Sequence, residues 1–297
     1  MAQLVQCVPN ISEGRDQGII DQVVAQVKGV PGCTLLDVES DASHNRTVIT
    51  FLGSPEAVEE AAVRLAIKAA ALIDLTKHTG EHPRMGAVDV IPFIPIRDIS
   101  MEDCVALSRR CGVRIAEEAG MPVFLYEQSA SAPHRQNLAD IRRGQFEGMA
   151  EKMLSDTWKP DFGGAMHPTA GVVAVGARMP LIAFNINLDT DRLPVAKAIA
   201  KIIRQSSGGL ANVKALGVML EDRGIAQVSI NMTDYTKTPL YRVVELVKAE
   251  AARYGARVIG TEIVGLTPAN ALIDSAAYYL MIERFDRAKQ VLENHVG

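Results

Sequence analysis

The sequence predicts an α+β protein that contains two ferredoxin-like units, each with the element order β-α-β-β-α-β. Two observations lead to this fold class. Short segments with apolar period two alternate with longer segments of helical apolar spacing, and this succession occurs twice along the chain. A loop of different texture, Trp158 to Gly164, separates the two occurrences. The predicted domains are therefore residues 1–178 and residues 179–297.

The elements of the first occurrence follow from apolar spacing and from residues typical of helix ends. Pro55 suits the first turn of the long helix that follows it, and Ser100 can cap the next one. Pro92 and Pro95 restrict the strand that contains them to an edge or to a bulged position. The predicted elements are strand 4–9, helix 17–28, strands 34–39 and 46–52, helix 55–75, strand 87–96, helix 100–119, strand 123–127 and helix 137–154.

The second occurrence repeats this pattern in a shorter form. Its predicted elements are strand 181–188, helix 194–205, strands 213–220 and 226–232, helix 239–254, strand 257–264 and helix 269–283. A β-α-β-β-α-β unit carries both helices on one face of an antiparallel sheet and leaves the other face free. Two such units can cover their free faces against each other or leave a groove, and small molecules bind preferentially in such places.

Composition narrows the class of function. The chain has 297 residues, 48% of them hydrophobic, and a net charge of -4. The acidic balance argues against nucleic acid as a partner. No apolar run approaches the roughly 20 residues of a membrane helix, and the first residues lack the features of a signal peptide, so we expect a cytoplasmic protein. The four cysteines form no CxxC pair, which favours buried free thiols.

A histidine stands out between the long helix and the following strand. His82 lies in the stretch Thr79-Gly80-Glu81-His82-Pro83-Arg84-Met85-Gly86. Pro83 disfavours a helical conformation at His82, so the sequence predicts a turn that presents the ring at the mouth of a strand. Histidine is the side chain best suited to transfer a proton near neutral pH. We interpret His82 as a candidate acid–base residue, and a surface histidine without a role is the alternative.

Three carboxylates alternate along one predicted strand. Asp37, Glu39 and Asp41 fall on one face because strand side chains alternate with period two. The pattern indicates either a site for a cation, such as a cationic substrate, or a solvated strand end. His78 and His82 are four residues apart, but the glycine and proline near them argue against a shared helix. We therefore predict no metal site.

A glycine-rich loop near the boundary between the halves resembles a ligand-binding segment. Gly163, Gly164 and Gly171 allow the backbone to approach a ligand closely. The loop lacks the Gly-Lys-Ser/Thr ending of a Walker A sequence and the GxGxxG spacing, which argues against a nucleotide. His167 could line a groove, although a structural role is the simpler interpretation.

Several motifs together resemble the glutamate formimidoyltransferase family. They are CVPNISEG (7–14), LLDVES with NRTV (35–48), HTGEHPRMGAVDVIPFIPIR (78–97), PDFGG (160–164) and LIAFNINL (181–188). The resemblance extends from the first strand to about Leu280. Bifunctional members of the family also contain a cyclodeaminase domain, and this chain resembles the transferase alone.

The resemblance implies two α/β subdomains whose apposed sheets form a tunnel that holds folate. It implies tetrahydrofolate as co-substrate, no metal and a homodimer. His82 matches the catalytic histidine of the family. The stretch that matches the family's folate-contacting segment consists of Gly163, Gly164, Ala165, Met166, His167, Pro168, Thr169, Ala170, Gly171 and Val172.

The implied reaction transfers the formimidoyl group from N-formimidoyl-L-glutamate to N5 of tetrahydrofolate, as in histidine degradation. His82 would accept the proton shed by N5 and return one to the departing nitrogen. Glu39 or Asp37 would hold the cationic amidine. Arg46 and Arg84 would pair with substrate carboxylates. Asn10, in the first motif, is also predicted to bind substrate.

Two alternatives remain open from the sequence. The same fold can use N-formylglutamate as donor and make 5-formyltetrahydrofolate, and a neutral formyl group would not need a carboxylate beside it. A folate-binding protein without turnover is the other, although a pure binder needs no presented histidine.

Overall fold

A computed structural model describes residues 3–295 of the chain. It is a mixed α+β structure with two separate β-sheets, so the predicted α+β class is confirmed at this level. The chain divides into two compact units, Met1–Arg178 and Met179–Gly297. Each unit has its own sheet and its own apolar core.

The first unit builds one sheet from seven strands within the described residues. They are β1 (Leu4–Cys7), β2 (Asn10–Ile11), β3 (Cys33–Asp41), β4 (Arg46–Gly53), β5 (Val88–Arg97), β6 (Val123–Glu127) and β7 (Val173–Ala177). The helices are α1 (Gln17–Lys28), α2 (Pro55–Leu72), α3 (Met101–Glu118), α4 (Leu138–Arg142) and α5 (Gln145–Lys152). The sequence analysis missed β7.

The sheet order follows from the pairings. The strands run β3-β4-β1/β2-β5-β7-β6, with β1 and β2 as consecutive pieces between β4 and β5. Pairings among β1 to β5 are antiparallel, whereas β5, β7 and β6 are parallel. The single predicted strand 4–9 is interrupted at Val8 and Pro9, where proline has no N–H to donate to a neighbour.

The strand that contains Pro92 and Pro95 was predicted to lie at an edge or at a bulged position, and the structure shows the second of these. β5 lies inside the sheet, between β1/β2 and β7. Its two prolines fall at irregular places instead. Pro92 lies opposite the interruption between β1 and β2, and Pro95 pairs with Val5 next to a register shift. The missing N–H groups therefore coincide with breaks in the ladder, which explains how an interior strand accommodates them.

The two faces of this sheet carry different cores. Helices α1, α2 and α3 cover one face, where Phe51, Phe93 and Ile91 are fully buried. On the other face, Val90 and Tyr126 pack with apolar residues of α4 and α5. Because successive strand residues point to opposite faces, this second cluster fixes α4 and α5 over β5, β6 and β7.

The second unit contains a four-stranded antiparallel sheet in the order β11-β8-β10-β9. Its strands are β8 (Ile182–Leu188), β9 (Val213–Leu220), β10 (Ile225–Met232) and β11 (Val258–Val264). Its helices are α6 (Leu193–Ile203), α7 (Leu240–Arg253), α8 (Ala269–Tyr279) and α9 (Arg287–Gln290). Apolar residues of α6 and α7 pack against one face of the sheet.

Over residues 3–295, none of the helices combines the length and the apolar character needed to cross a membrane.

Candidate active site

The loop between α2 and β5 holds His82 in a half-buried position. The two glycines of its motif are required by close packing. A Cβ atom at Gly80 would collide with the backbone of His44, and one at Gly86 would collide with the carbonyl of Val172. The glycines thus let the loop lie directly against two other segments, which fixes the position of the imidazole.

The ring of His82 accepts a hydrogen bond from a guanidinium. Arg46 Nη1 lies 2.8 Å from His82 Nδ1. Arginine has donors only, so Nδ1 must be the acceptor and the neutral ring carries its proton on Nε2. Burial, followed by the positive charges of Arg46 and Arg142, lowers the pKa of His82 to about 3, and Asp89 offsets only part of this effect. His82 is therefore a neutral Nε2–H donor near neutral pH.

Asn10 orients Arg46. Arg46 donates from Nε and Nη2 to Asn10 Oδ1, at 3.0 and 2.5 Å, and Asn10 in turn donates to the carbonyl of Val8 at 2.8 Å. Burial lowers the pKa of Arg46 to about 10, although the nearby carboxylate of Asp89 raises it. The guanidinium remains charged at neutral pH and directs one donor at His82.

Asp89 is the buried anion of this cluster, and only 1% of its surface is exposed. Its Oδ1 accepts the Met85 N–H at 3.0 Å. Its Oδ2 accepts Arg142 Nη2 at 2.5 Å and Arg46 Nη1 at 3.4 Å. Two guanidinium groups and one carboxylate leave a net positive charge beside His82, which adds to the effect of burial in lowering the pKa of the imidazole.

The sequence analysis missed both Asp89 and Arg142. A carboxylate inside the otherwise apolar run of β5 was a usable signal, since a buried charge needs a partner. Arg142 gave no such signal. The prediction of one continuous helix over 137–154 is wrong, because the chain breaks between α4 and α5, where Gly144 has a φ of 95°. Arg142 is the last residue of α4, just before this break, and its buried Nε has no hydrogen-bond partner in the described part of the chain.

Arg84, a predicted substrate-binding residue, forms an internal ion pair. Its Nη1 and Nη2 donate to Glu147 at 2.9 and 2.6 Å, and its Nε donates to His78 at 3.2 Å. This pairing is the main cause that lowers the pKa of Glu147. The Arg84 carbonyl also accepts the Phe146 N–H. Arg84 thus fastens the loop of His82 to α5, and a substrate carboxylate would compete with Glu147.

The three carboxylates of β3 share a face with Arg46. Asp41 lies directly opposite Arg46 in the register. Glu39 and Asp37 occupy every second position before Asp41 and therefore point to the same face. Asp41 accepts hydrogen bonds within its turn, including one from His44 Nδ1 at 2.8 Å. Glu39 is exposed and makes no side-chain hydrogen bond within residues 3–295. Of the two predicted amidine partners, Glu39 is the more accessible and Asp37 is half-buried.

The predicted folate segment runs beside the loop of His82 at one end. Ala87 donates its N–H to the carbonyl of Ala170 at 2.8 Å, and a Cβ at Gly171 would collide with Met85. The ring of His167 accepts the Ala170 N–H at 2.9 Å, so it braces the loop. The exposed members of the segment are Gly163, Gly164, Ala165 and Pro168, the half-buried ones are Met166, His167 and Thr169, and the buried ones are Ala170, Gly171 and Val172.

A separate cavity of about 670 Å³ lies around α4 and α5 and is lined in part by Trp158 and His134. None of its lining residues belongs to the cluster of His82. Its half-buried cation, Lys152, donates to three backbone carbonyls near the end of α4. This lysine therefore serves the local structure, and the cavity is not the candidate site.

A metal centre was not predicted. Within residues 3–295, no group of three or more His, Cys, Asp or Glu side chains is arranged to hold an ion. The four cysteines are free thiols, and three of them are buried.

Two family models and several named relatives match this chain. The family description "Formiminotransferase domain, N-terminal subdomain" matches residues 4–178, and "Formiminotransferase domain" matches residues 183–294. Glutamate formimidoyltransferase of Streptococcus pyogenes serotype M1 is 59% identical over 297 residues, covering 100% of this chain and 99% of the relative. The enzyme of the same name from Thermoplasma acidophilum is 48% identical over 95% of this chain and 94% of the relative. Formimidoyltransferase-cyclodeaminase of Mus musculus is 46% identical over 94% of this chain but only 53% of its own length.

Proposed function

The chain belongs to the formiminotransferase domain family, and from this premise we propose that it transfers the formimidoyl group of N-formimidoyl-L-glutamate to N5 of tetrahydrofolate. The products are 5-formimidoyltetrahydrofolate and glutamate, and the reaction is a step of histidine degradation. The protein is an enzyme, a one-carbon group transferase. The observation that carries the proposal is the half-buried, neutral His82, held by Arg46 on the same sheet face as Glu39.

The charge of Glu39 favours N-formimidoyl-L-glutamate as the donor. The amidine of N-formimidoyl-L-glutamate is cationic, and the exposed carboxylate of Glu39 supplies a counter-charge on the His82 side of the sheet. A neutral formyl group would gain nothing from this carboxylate. The names of two relatives that this chain matches over almost their whole length favour the formimidoyl donor as well.

In this mechanism, Arg46 controls whether His82 can act as a base. In the geometry described above, Arg46 occupies Nδ1 and the ring can only donate from Nε2. A substrate carboxylate that takes over the donors of Arg46 frees Nδ1 to carry the ring proton, so Nε2 keeps its lone pair. Neutralising the guanidinium also removes one cause of the lowered pKa of His82. Donor binding thereby turns His82 into a base.

A single residue, His82, then accepts a proton and returns it. N5 of tetrahydrofolate attacks the amidinium carbon, and its proton passes to Nε2 of His82. The bond from that carbon to the glutamate nitrogen breaks as this nitrogen takes the proton back, and the amidinium charge stays with the product. A positioned acid–base group contributes about 10²–10⁴-fold, and alignment of the two substrates supplies much of the rest. Asn10 acts here by orienting Arg46.

We propose the finer architecture on the same basis. By chain order, the strands of the second unit lie 4-1-3-2, and those of the first unit lie 4-1-3-2 with β7 and β6 added beside the fourth. This order supports a ferredoxin-like topology for both units. We assign residues 1–178 to the N-terminal subdomain, which carries His82, and residues 179–297 to the C-terminal subdomain.

The remaining expectations, from the resemblance and from the first residues of the sequence, stay predictions. They are folate binding by residues 163–172 in a tunnel between apposed sheets, the absence of a metal, the homodimer and the cytoplasmic location. Sedimentation equilibrium of the purified chain tests the dimer directly.

The decisive experiment mixes purified protein with tetrahydrofolate and either N-formimidoyl-L-glutamate or N-formylglutamate, and follows the folate product by absorbance and mass. We expect the higher kcat/KM with the formimidoyl donor. A higher value with the formyl donor would move the substrate but keep the role of His82. Folate binding without transfer from either donor would instead make the chain a binding protein.

The gating step has its own test. The ¹⁵N chemical shifts of the His82 ring report which nitrogen carries the proton. We expect the Nε2–H form without ligand and a change when N-formimidoyl-L-glutamate saturates the protein. Unchanged shifts at saturation would mean that Arg46 stays in place and that His82 acts only as a donor.

A further inference from the structure

The second unit carries a polar sheet face that the proposed mechanism does not use. In β8, the residues Ile182, Phe184 and Ile186 point to the core beneath α6 and α7. Asn185 and Asn187 alternate with them and therefore lie on the other face. They belong to the LIAFNINL motif, which supported the family resemblance without receiving a role.

Three side chains on this face form a connected cluster across three strands. Gln227 of β10 donates from Nε2 to Asn187 Oδ1 at 2.8 Å and to Glu262 Oε1 at 2.9 Å. Asn187 donates from Nδ2 to the same Oε1 at 3.4 Å. Asn187 and Gln227 are only 5% and 4% exposed, whereas Glu262 on β11 is exposed.

This arrangement fixes a carboxylate in one orientation. Burying two amides is costly unless their hydrogen bonds are made, and here the amides direct their donors at a single oxygen of Glu262. The other oxygen, Oε2, accepts no hydrogen bond within residues 3–295. Next to it in the register lie Asn185 and then Ser229, whose side chains also make no hydrogen bond in that part of the chain. The face thus presents an oriented acceptor beside unused polar groups.

We propose that the cluster of Asn187, Gln227 and Glu262 is a binding site for a planar group with paired N–H donors on an N–C–N unit. Oε1 already accepts from both amides, so Oε2 takes one N–H of the pair and the side-chain oxygen of Asn185, opposite Glu262 in the register, takes the other. This inference rests on the proposed function, because both co-substrates carry this unit. Tetrahydrofolate has it in its 2-amino-4-oxopyrimidine ring, and N-formimidoyl-L-glutamate has it in its amidinium.

The test uses the full-length chain with Glu262→Gln, which keeps the shape but replaces one acceptor oxygen by an N–H₂ group that faces the ligand donors. Glu221→Gln is the matched control, since it makes the same charge change on the exposed turn between β9 and β10. The Kd for tetrahydrofolate is measured by calorimetry without donor, and the KM for N-formimidoyl-L-glutamate is measured at saturating folate. We expect Glu262→Gln to weaken one of these constants at least tenfold and Glu221→Gln to change neither.

The two readouts identify the source of the bound group. A weaker Kd for tetrahydrofolate with an unchanged donor KM assigns the site to the pyrimidine ring. A tetrahydrofolate analogue without the 2-amino group should then bind wild type weakly and lose nothing further in Glu262→Gln. A raised donor KM with an unchanged folate Kd assigns the site to the amidinium, in place of Glu39.

Other outcomes overturn the proposal. If both constants are unchanged while the melting temperature of Glu262→Gln falls, the cluster only supports the sheet. Unchanged constants with an unchanged melting temperature also exclude the site. The proposed function fails separately, when wild type binds tetrahydrofolate but transfers neither donor group. Wild type that binds neither co-substrate would overturn both.

Discussion

The two units place polar groups on their sheets in different ways. In the first unit, Asp89 is buried with Arg46 and Arg142, and these charges act on His82 from different segments of the chain. In the second unit, neutral amides hold the single carboxylate of Glu262 on regular strands. The first arrangement changes the proton affinity of a side chain, and the second fixes a hydrogen-bond direction. The two arrangements suit the roles proposed for them, which are proton transfer in the first unit and recognition of paired N–H donors in the second.

The largest expected effect concerns the side chain on which the charges of the first unit act. His82→Ala should lower kcat about 10²–10⁴-fold, since it removes the acid–base group. The measurement is the rate of formimidoyl transfer at saturating substrates. His134→Ala is the matched control, because this histidine lies in the first unit outside the cluster. A loss of less than tenfold in His82→Ala would exclude the proposed role.

Next in size is the response to loss of the buried anion. Asp89→Asn leaves the guanidinium groups of Arg46 and Arg142 near each other without their counter-charge, which should cost about 3–5 kcal/mol of the free energy of unfolding. Urea denaturation measures it, with Asp191→Asn on an exposed loop as control. Equal stability of the two variants would show that Asp89 does not hold the cluster together.

The difference between the units also explains which features could be predicted from the sequence alone. The strands of the second unit were predicted closely, because period-two alternation and turn residues are local signals. The motif around His82 was found for the same reason. Its partners were harder to find, since Arg142 approaches Asp89 from 53 positions away along the chain, at the end of a helix whose bounds were not predicted.

Arg84 shows the same limit of prediction, since the residue was identified from the sequence but its partner was not. Guanidinium chemistry made it a reasonable partner for a substrate carboxylate, and the structure pairs it with Glu147, 63 positions away. Residue type predicts which bonds a side chain can form. The choice among possible partners depends on tertiary packing, which no local pattern encodes.

A smaller effect is expected in the neutral cluster. Asn187→Ala removes one partner of the buried Gln227 and should cost about 1–3 kcal/mol of the free energy of unfolding. Asn185→Ala is a close control, since Asn185 lies on the same strand and face and makes no side-chain hydrogen bond within residues 3–295. Thermal denaturation of both variants gives the comparison. Equal losses would mean that the amide network adds no stability to the sheet.

The smallest expected effect is a change in the slope of unfolding free energy against pH. It concerns the charged cluster around His82. The unfolded chain protonates His82 near its ordinary pKa of about 6.5, whereas the folded chain does so only near a pKa of about 3. Between these values the unfolded state binds more protons, so stability decreases as the pH is lowered through this window. His82→Gln should therefore reduce the slope of unfolding free energy between about pH 6.5 and 4.5 by up to about 1.4 kcal/mol per pH unit.

This window lies above the range in which most carboxylates titrate, so the difference between wild type and variant isolates the histidine. His134→Gln serves as the control for loss of a histidine outside the cluster. If His82→Gln keeps the wild-type slope, Arg46 and Arg142 do not suppress protonation of the ring in solution. The gating role proposed for Arg46 would then lose its electrostatic basis, while the hydrogen bond to Nδ1 could still select the tautomer.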